Sequence, residues 1–250
     1  VIVATGQPPI VFLNAFPVSR AQWEPLLASL GSNLDRDVIT FDMPGIGDMP
    51  PSDEEPSLTL IADAAVAAMR EATGWTSALW LGCSMGGYVA MAVAERSPQA
   101  VAGLALMGTK STADSVAARE ARLSLAERLD GLTSHPDPAG AAEGLVGTVG
   151  PGRSALVAAV TADIASHAAA GIAWGQRAMA ARPDRTEVLR NVDAPTVVMR
   201  GEHDGIVSAA DADHLADALG LAAITIAGAG HLVAFEAPAL VAEALSALEL

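Results

Sequence analysis

Six short apolar runs, rich in Val, Ile and Leu, punctuate the chain at residues 10–13, 38–41, 78–81, 102–107, 196–199 and 222–226. Near-continuous apolar runs of this length are the pattern of strands covered on both faces. Stretches with helical character lie between them, at 20–30, 58–72, 87–96 and 209–219, and a last helix is expected from residue 238 to the C-terminus. Gly74 is placed to cap the second of these helices, and Pro98 to close the third. Strands alternating with helices of this length make βαβ units. The expected fold is α/β, with one doubly wound, mostly parallel sheet and flanking helices.

The rhythm breaks between residues 111 and 192. No strand is expected there, only helical segments at 116–129, 139–146, 154–168 and 172–181, interrupted by Pro136, Pro138, Gly150-Pro151-Gly152 and Pro183. This reads as an all-helical insertion between two strands of the sheet. Residues 1–110 and 193–250 would then form the core, and 111–192 the insertion.

At the end of the third run stands Gly82-Cys83-Ser84-Met85-Gly86, between the apolar run SALWL and the helical run GYVAMAVAE. A serine at such a junction sits on a very sharp turn, which pushes its hydroxyl out above the sheet edge. Glycines on either side allow backbone and helix to approach closely. This arrangement resembles the nucleophile elbow of the α/β-hydrolase fold family. In that family a helical cap often follows the sixth strand, which corresponds here to the run at 102–107. The resemblance therefore implies a cap at 111–192 over the site, with Trp174, Met179, Leu125 and Leu145 as pocket lining.

A serine hydroxyl needs a base, and the base needs an orienting acid. The family order, in which acid and then histidine follow the serine, implies Asp204 and His231. Asp204 lies in Arg200-Gly201-Glu202-His203-Asp204-Gly205, which resembles the family's G-x-x-D turn after the penultimate strand. A carboxylate at a strand's C-terminal end faces the crevice of an open sheet. Glu202 and Asp211 are the other acids nearby. His231 ends Ala227-Gly228-Ala229-Gly230-His231, similar to the family's G-x-G-H ending. His135, His167, His203 and His214 have weaker sequence contexts. The resemblance also implies two backbone oxyanion donors, the Met85 amide at a helix N-terminus and the Phe16 amide. The second lies in Leu13-Asn14-Ala15-Phe16-Pro17, where Asn14-Ala15 replaces the family's His-Gly. The segment Asp42-Met43-Pro44-Gly45-Ile46-Gly47 resembles the family's D-x-P-G-x-G turn, with Asp42 expected to cap its loop.

Composition narrows the function. With 51% hydrophobic residues in 250, the chain can bury the core of one domain. No uninterrupted apolar run approaches the ~18 residues of a spanning helix. A signal peptide is not expected, because no basic segment precedes a long apolar one; whether a leader was removed before Val1 stays open. A net charge of −15 repels phosphate backbones and anionic lipid, so neither nucleic acid nor membrane is an expected partner. The single cysteine, Cys83, excludes an internal disulfide, suits a reducing, cytoplasmic setting, and reads as a small buried hydrophobe. No metal and no cofactor are expected. The resemblance implies a hydrolase acting on a carboxylic ester, lactone or related acyl bond of a small molecule. Perhydrolysis or acyl transfer by the same residues, and a receptor that only binds its ligand, are the alternatives.

Overall fold

The computed structural model describes residues 6–31, 34 and 36–248. The expectation about the first residues, and the last two positions of the closing helix, fall outside them. Six strands form one fully parallel sheet in the order β2-β1-β3-β4-β5-β6. They are β1 (Ile10–Leu13), β2 (Val38–Phe41), β3 (Ala78–Cys83), β4 (Val101–Met107), β5 (Thr196–Gly201) and β6 (Ile224–Ile226). Strand order reverses beside β1, where the chain moves from β2 across to β3. In open α/β sheets such a reversal, at the strands' C-terminal ends, is the usual ligand position.

The helices follow the same logic. Arg20–Trp23 is a 3-10 turn, and Pro25 then starts α1 (Glu24–Leu30). The single helix expected at 20–30 is thus two pieces. Next come α2 (Leu58–Thr73), closed by Gly74 in the left-handed conformation, and α3 (Met85–Arg96), followed by a 3-10 turn at Pro98–Ala100. Between β4 and β5 lie α4 (Val116–Leu129), α5 (Pro138–Leu145), α6 (Arg153–Ser166), α7 (Ala169–Ala180) and the short α8 (Thr186–Leu189). The chain ends through α9 (Ala209–Ala218), α10 (Val233–Glu236) and α11 (Pro238–Leu245). The insertion therefore falls between the fourth and fifth of the six strands in chain order.

Side chains alternate across the sheet, and two cores result. Val11, Leu13, Trp80, Leu104, Leu106 and Val198 face α2, α3 and α9. Ile10, Phe12, Leu81, Ala105, Met107 and Met199 face α1, α10 and α11. The insertion contributes to both. Ala126, Leu129, Ile172 and Trp174 from α4 and α7 extend the first core, while Leu145, Val160 and Ile164 from α5 and α6 extend the second.

A buried ion cluster ties the two ends of the insertion to the core. Asp114, just before α4, meets Arg182, just after α7, at 2.7 Å and Arg122 at 2.8 Å. The Arg182 guanidinium also stacks 4.1 Å over the Tyr88 ring of α3. Burial pushes the Asp114 carboxyl up, but the two arginines outweigh it and hold it below the usual carboxylate range. Asp114→Ala leaves Arg182 buried without its partner, so a loss of about 3–5 kcal/mol is expected in denaturant unfolding. Because the folded value is depressed, this contribution is complete above the unfolded value of about 3.9. It disappears as pH falls through the folded one, so the wild type and Asp114→Ala should converge in stability in strong acid.

Candidate active site

The serine turn is built by steric exclusion. Ser84 has φ 51° and ψ −113° and is the one non-glycine residue at positive φ among the described residues. Such a conformation is strained and persists only when its surroundings impose it. Here the Ser84 amide donates to Met107 O at 2.8 Å, and its carbonyl accepts from Thr109 Oγ1 at 2.9 Å and from the Gly87 and Tyr88 amides. A side chain on Gly86 would meet Leu13 O at 1.9 Å, and one on Gly82 would meet Gly86 O at 2.4 Å. Both glycines are thus required by close backbone approach. In the stretch from Ala78 to Ala94 every residue is buried except Ser84. The fold spends that whole run on packing and lifts out one residue, the hydroxyl-bearing one.

Asp204 and His231 meet beside this turn. Both carboxylate oxygens of Asp204 lie 3.0 Å from His231 Nδ1. The Asp204 side chain is fully buried and that of His231 nearly so. The Ile206 and Val207 amides donate to Asp204 Oδ1 at 2.8 and 3.0 Å, which fixes the carboxylate from behind. Burial raises the Asp204 pKa, but the hydrogen bond from His231 and these amides more than reverse it, so the carboxyl stays below its ordinary range. The His231 loop touches the serine turn directly, since the Cys83 thiol lies 3.6 Å from His231 O. Cys83 is fully buried in the second core, and burial drives its pKa to about 12, so it is no thiolate nucleophile.

The other acids and histidines are engaged elsewhere. Glu202 accepts from the Gly228 amide, and Asp211 completes a capping box with Ser208 at the start of α9. His135 accepts from the Asp137 amide, His167 lies 3.5 Å from Asp163, and His214 contacts Thr186. His203 stands 3.9 Å from Glu202. Among the described residues no group of three or more His, Cys, Asp or Glu side chains is placed to hold a metal ion, and no helix is long and apolar enough to cross a membrane.

The loop after β1 carries Phe16. Its amide and that of Met85 donate to no other protein group among the described residues. Met85 opens α3, where the helix dipole favours negative charge. The substitution of Asn14-Ala15 for His-Gly does not leave this loop unsupported. Asn14, fully buried, donates Nδ2 to Val18 O, and the buried Gln22 accepts from the Ala15 amide at 2.7 Å. Asp42 accepts from the Arg20 amide at 2.7 Å, which ties its loop to the turn after β1, and more loosely, at 3.5 Å, from the Asp48 amide at the end of its own loop. Gln22 and Thr109 escaped the sequence reading. Neither stands in a motif: Gln22 reaches back seven positions to Ala15 and Thr109 reaches back 25 to Ser84.

The four expected lining residues are scattered. Leu145 accepts the His231 amide on its carbonyl at 3.2 Å, so it borders the site. Trp174 donates Nε1 to Glu54 O and packs with Met179 in the first core, where Gly175 abuts the Phe16 ring. Leu125 packs against the same core from α4. A cavity of about 170 Å³ lies beside the His231 loop, lined by Val18, Gln22, Val160, Asp163, Leu232 and Phe235 among others. A larger one, about 700 Å³, lies at the opposite end of the sheet, between the end of α3 and the start of β4, remote from Ser84.

Residues 8–142, more than half of the chain, match the family model described as alpha/beta hydrolase fold. The chain belongs to the α/β-hydrolase family. It is similar in structure to a thermophilic esterase from Thermogutta terrifontis, solved with malate bound, at 27% identity and TM-score 0.89 over 98% of this chain and 90% of that one. It shares the fold of the enol-lactonase from Burkholderia xenovorans LB400, at 20% identity and TM-score 0.85 over 98% of this α/β-hydrolase and 93% of that chain. It is also 37% identical over 100 residues, 40% of its length, to the pimeloyl-[acyl-carrier protein] methyl ester esterase of Sodalis glossinidius. That match spans 36% of the curated relative.

Proposed function

We propose that this α/β-hydrolase is a serine hydrolase that cleaves a carboxylic ester, lactone or related acyl bond of a small molecule through an acyl-enzyme. The observation that carries the reading is the Asp204–His231 pair at 3.0 Å, its loop in contact with the turn that raises Ser84. Ser84 Oγ attacks the carbonyl carbon while His231 Nε2 takes its proton. Asp204 keeps the proton on Nδ1 and balances the charge that forms on the ring. The Phe16 and Met85 amides receive the oxyanion. His231 then protonates the leaving alcohol and activates water for deacylation. No cofactor enters these steps.

The ester-cleaving relatives support the reaction class, and the partial length of the curated match leaves the acyl group to be found by experiment. Residues 111–192 serve as the cap, with 1–110 and 193–250 as the catalytic core. Leu145, whose carbonyl meets the His231 amide, and Trp174, next to the Gly175 that abuts the Phe16 ring, are the first cap residues to meet substrate, with Met179 and Leu125 behind them. The test is labelling by a fluorophosphonate probe, together with a panel of esters and lactones of graded acyl length. One labelled residue, Ser84, and hydrolysis of short activated esters are expected. No labelling and no turnover would place the chain among ligand-binding members of the fold; acyl transfer to an added alcohol or to peroxide would redefine the acceptor.

A further inference from the structure

One carboxylate outside the triad holds an unusual number of hydrogen bonds. Glu236, in α10, accepts five. Its Oε2 receives the Gly230 amide at 2.9 Å, and its Oε1 the Leu232 amide at 3.0 Å. These amides flank His231 on both sides. The same Oε2 receives the Gly147 amide at 3.0 Å, the Thr148 amide at 2.7 Å and Thr148 Oγ1 at 2.6 Å. Gly147 and Thr148 belong to the helical insertion, just past α5. Two further contacts follow the same line. The His231 amide donates to Leu145 O at 3.2 Å, and the Gly147 and Gly230 backbones approach so closely that a side chain on Gly230 would meet Gly147 N at 2.1 Å.

A carboxylate collecting this many N–H and O–H donors is a fixed node, because charge-assisted hydrogen bonds are roughly twice as strong as neutral ones. Among the described residues no cation hydrogen-bonds to it; Arg153 interacts with it only at longer range, and its oxygens are held by four amides and one hydroxyl from two separate chain segments. We infer that Glu236 is a positioning residue. It clamps the backbone on either side of His231 and fixes it to residues 145–148 of the insertion, so that the base and the roof of the pocket share one placement. This rests on the reading of His231 as the base. It adds that the insertion does more than cover substrate: its seating sets where the imidazole stands.

Glu236→Gln keeps the shape but removes the charge that strengthens all five bonds, and with its oxygen kept on the Gly147, Thr148 and Gly230 donors it turns an N–H against the Leu232 amide. Misplacement of a catalytic group by about 1 Å can cost on the order of 10²-fold, and a fall of that size is expected in kcat, with KM changing much less. Amide hydrogen exchange reads the same clamp without turnover. In Glu236→Gln, exchange should accelerate together at Gly147, Thr148, Gly230 and Leu232, and the His231 imidazole NMR signals should move. Thr148→Val removes a single arm from the insertion side and should still quicken exchange at Gly230 and Leu232, across the clamp. It carries the test if Glu236→Gln does not fold. The inference is overturned if folded Glu236→Gln keeps wild-type kcat, or if Thr148→Val changes exchange only on the insertion side. Fluorophosphonate labelling of the wild type separates these results from a failure of the hydrolase reading itself.

Discussion

Replacing Ser84 by Ala is expected to lower kcat for any ester the protein accepts by on the order of 10⁴–10⁶. In the proposed mechanism the residual rate comes from the Phe16 and Met85 amides and from substrate binding, which the substitution leaves in place. KM should change little, because the hydroxyl contributes to the transition state far more than to ground-state binding. Stability should hold or rise slightly. Ser84 adopts φ 51°, a conformation Ala also strains to reach, but the backbone bonds from Thr109, Gly87 and Tyr88 do not involve the Ser84 side chain. Steady-state kinetics beside a thermal melt check both halves. A Ser84→Ala protein that still turns over at the wild-type rate would assign the chemistry to another group.

Asp204→Asn should cost about 10⁴ in kcat with the fold intact. The new amide can keep its oxygen on the Ile206 and Val207 N–H groups and turn its NH₂ toward His231 Nδ1. It then donates where the carboxylate accepted. The ring proton is driven to Nε2, the nitrogen that in the proposed mechanism takes the Ser84 proton, and it can no longer receive one. The acid dependence of the wild type follows from the same site. Because the Asp204 pKa is depressed, the carboxylate stays ionised down to below its unfolded value of about 3.9. Any loss of activity at higher pH therefore belongs to a different group. Its contribution to stability has the matching sign, complete above the unfolded value and lost as pH falls through the folded one. A pH series of kcat and of melting temperature, run on wild type and Asp204→Asn, checks both statements.

The sheet was readable because its strands are short, apolar on both faces and separated by helices, a pattern set by burial alone. All six strands lie where the apolar runs predict them, although β6 covers only Ile224–Ile226 of the run at 222–226. It is an edge strand with one neighbour, and Ile224 is partly exposed, so less of the run is drawn into the ladder. Helices α8 and α10 went unseen because four residues carry too little periodicity to register. The Asp204–His231 meeting followed from motif order, since both residues stand at strand ends on the same edge. What could not be read is the support around them. Gln22 meets the Ala15 amide only because a 3-10 turn carries it back over the loop, and Glu236 reaches Gly147 and Thr148 across 89 and 88 positions. Those partners are set by tertiary packing, on which local spacing is silent.

The saddle-like seating of the inserted helices has an evolutionary corollary. Ala126, Leu129 and Trp174 complete one face of the sheet, while Leu145, Val160 and Ile164 complete the other. Exchanging the whole insert for that of a cousin would strip apolar cover from both sides at once. Stability is therefore easier to keep through single replacements within the insertion than through transplanting it in one piece.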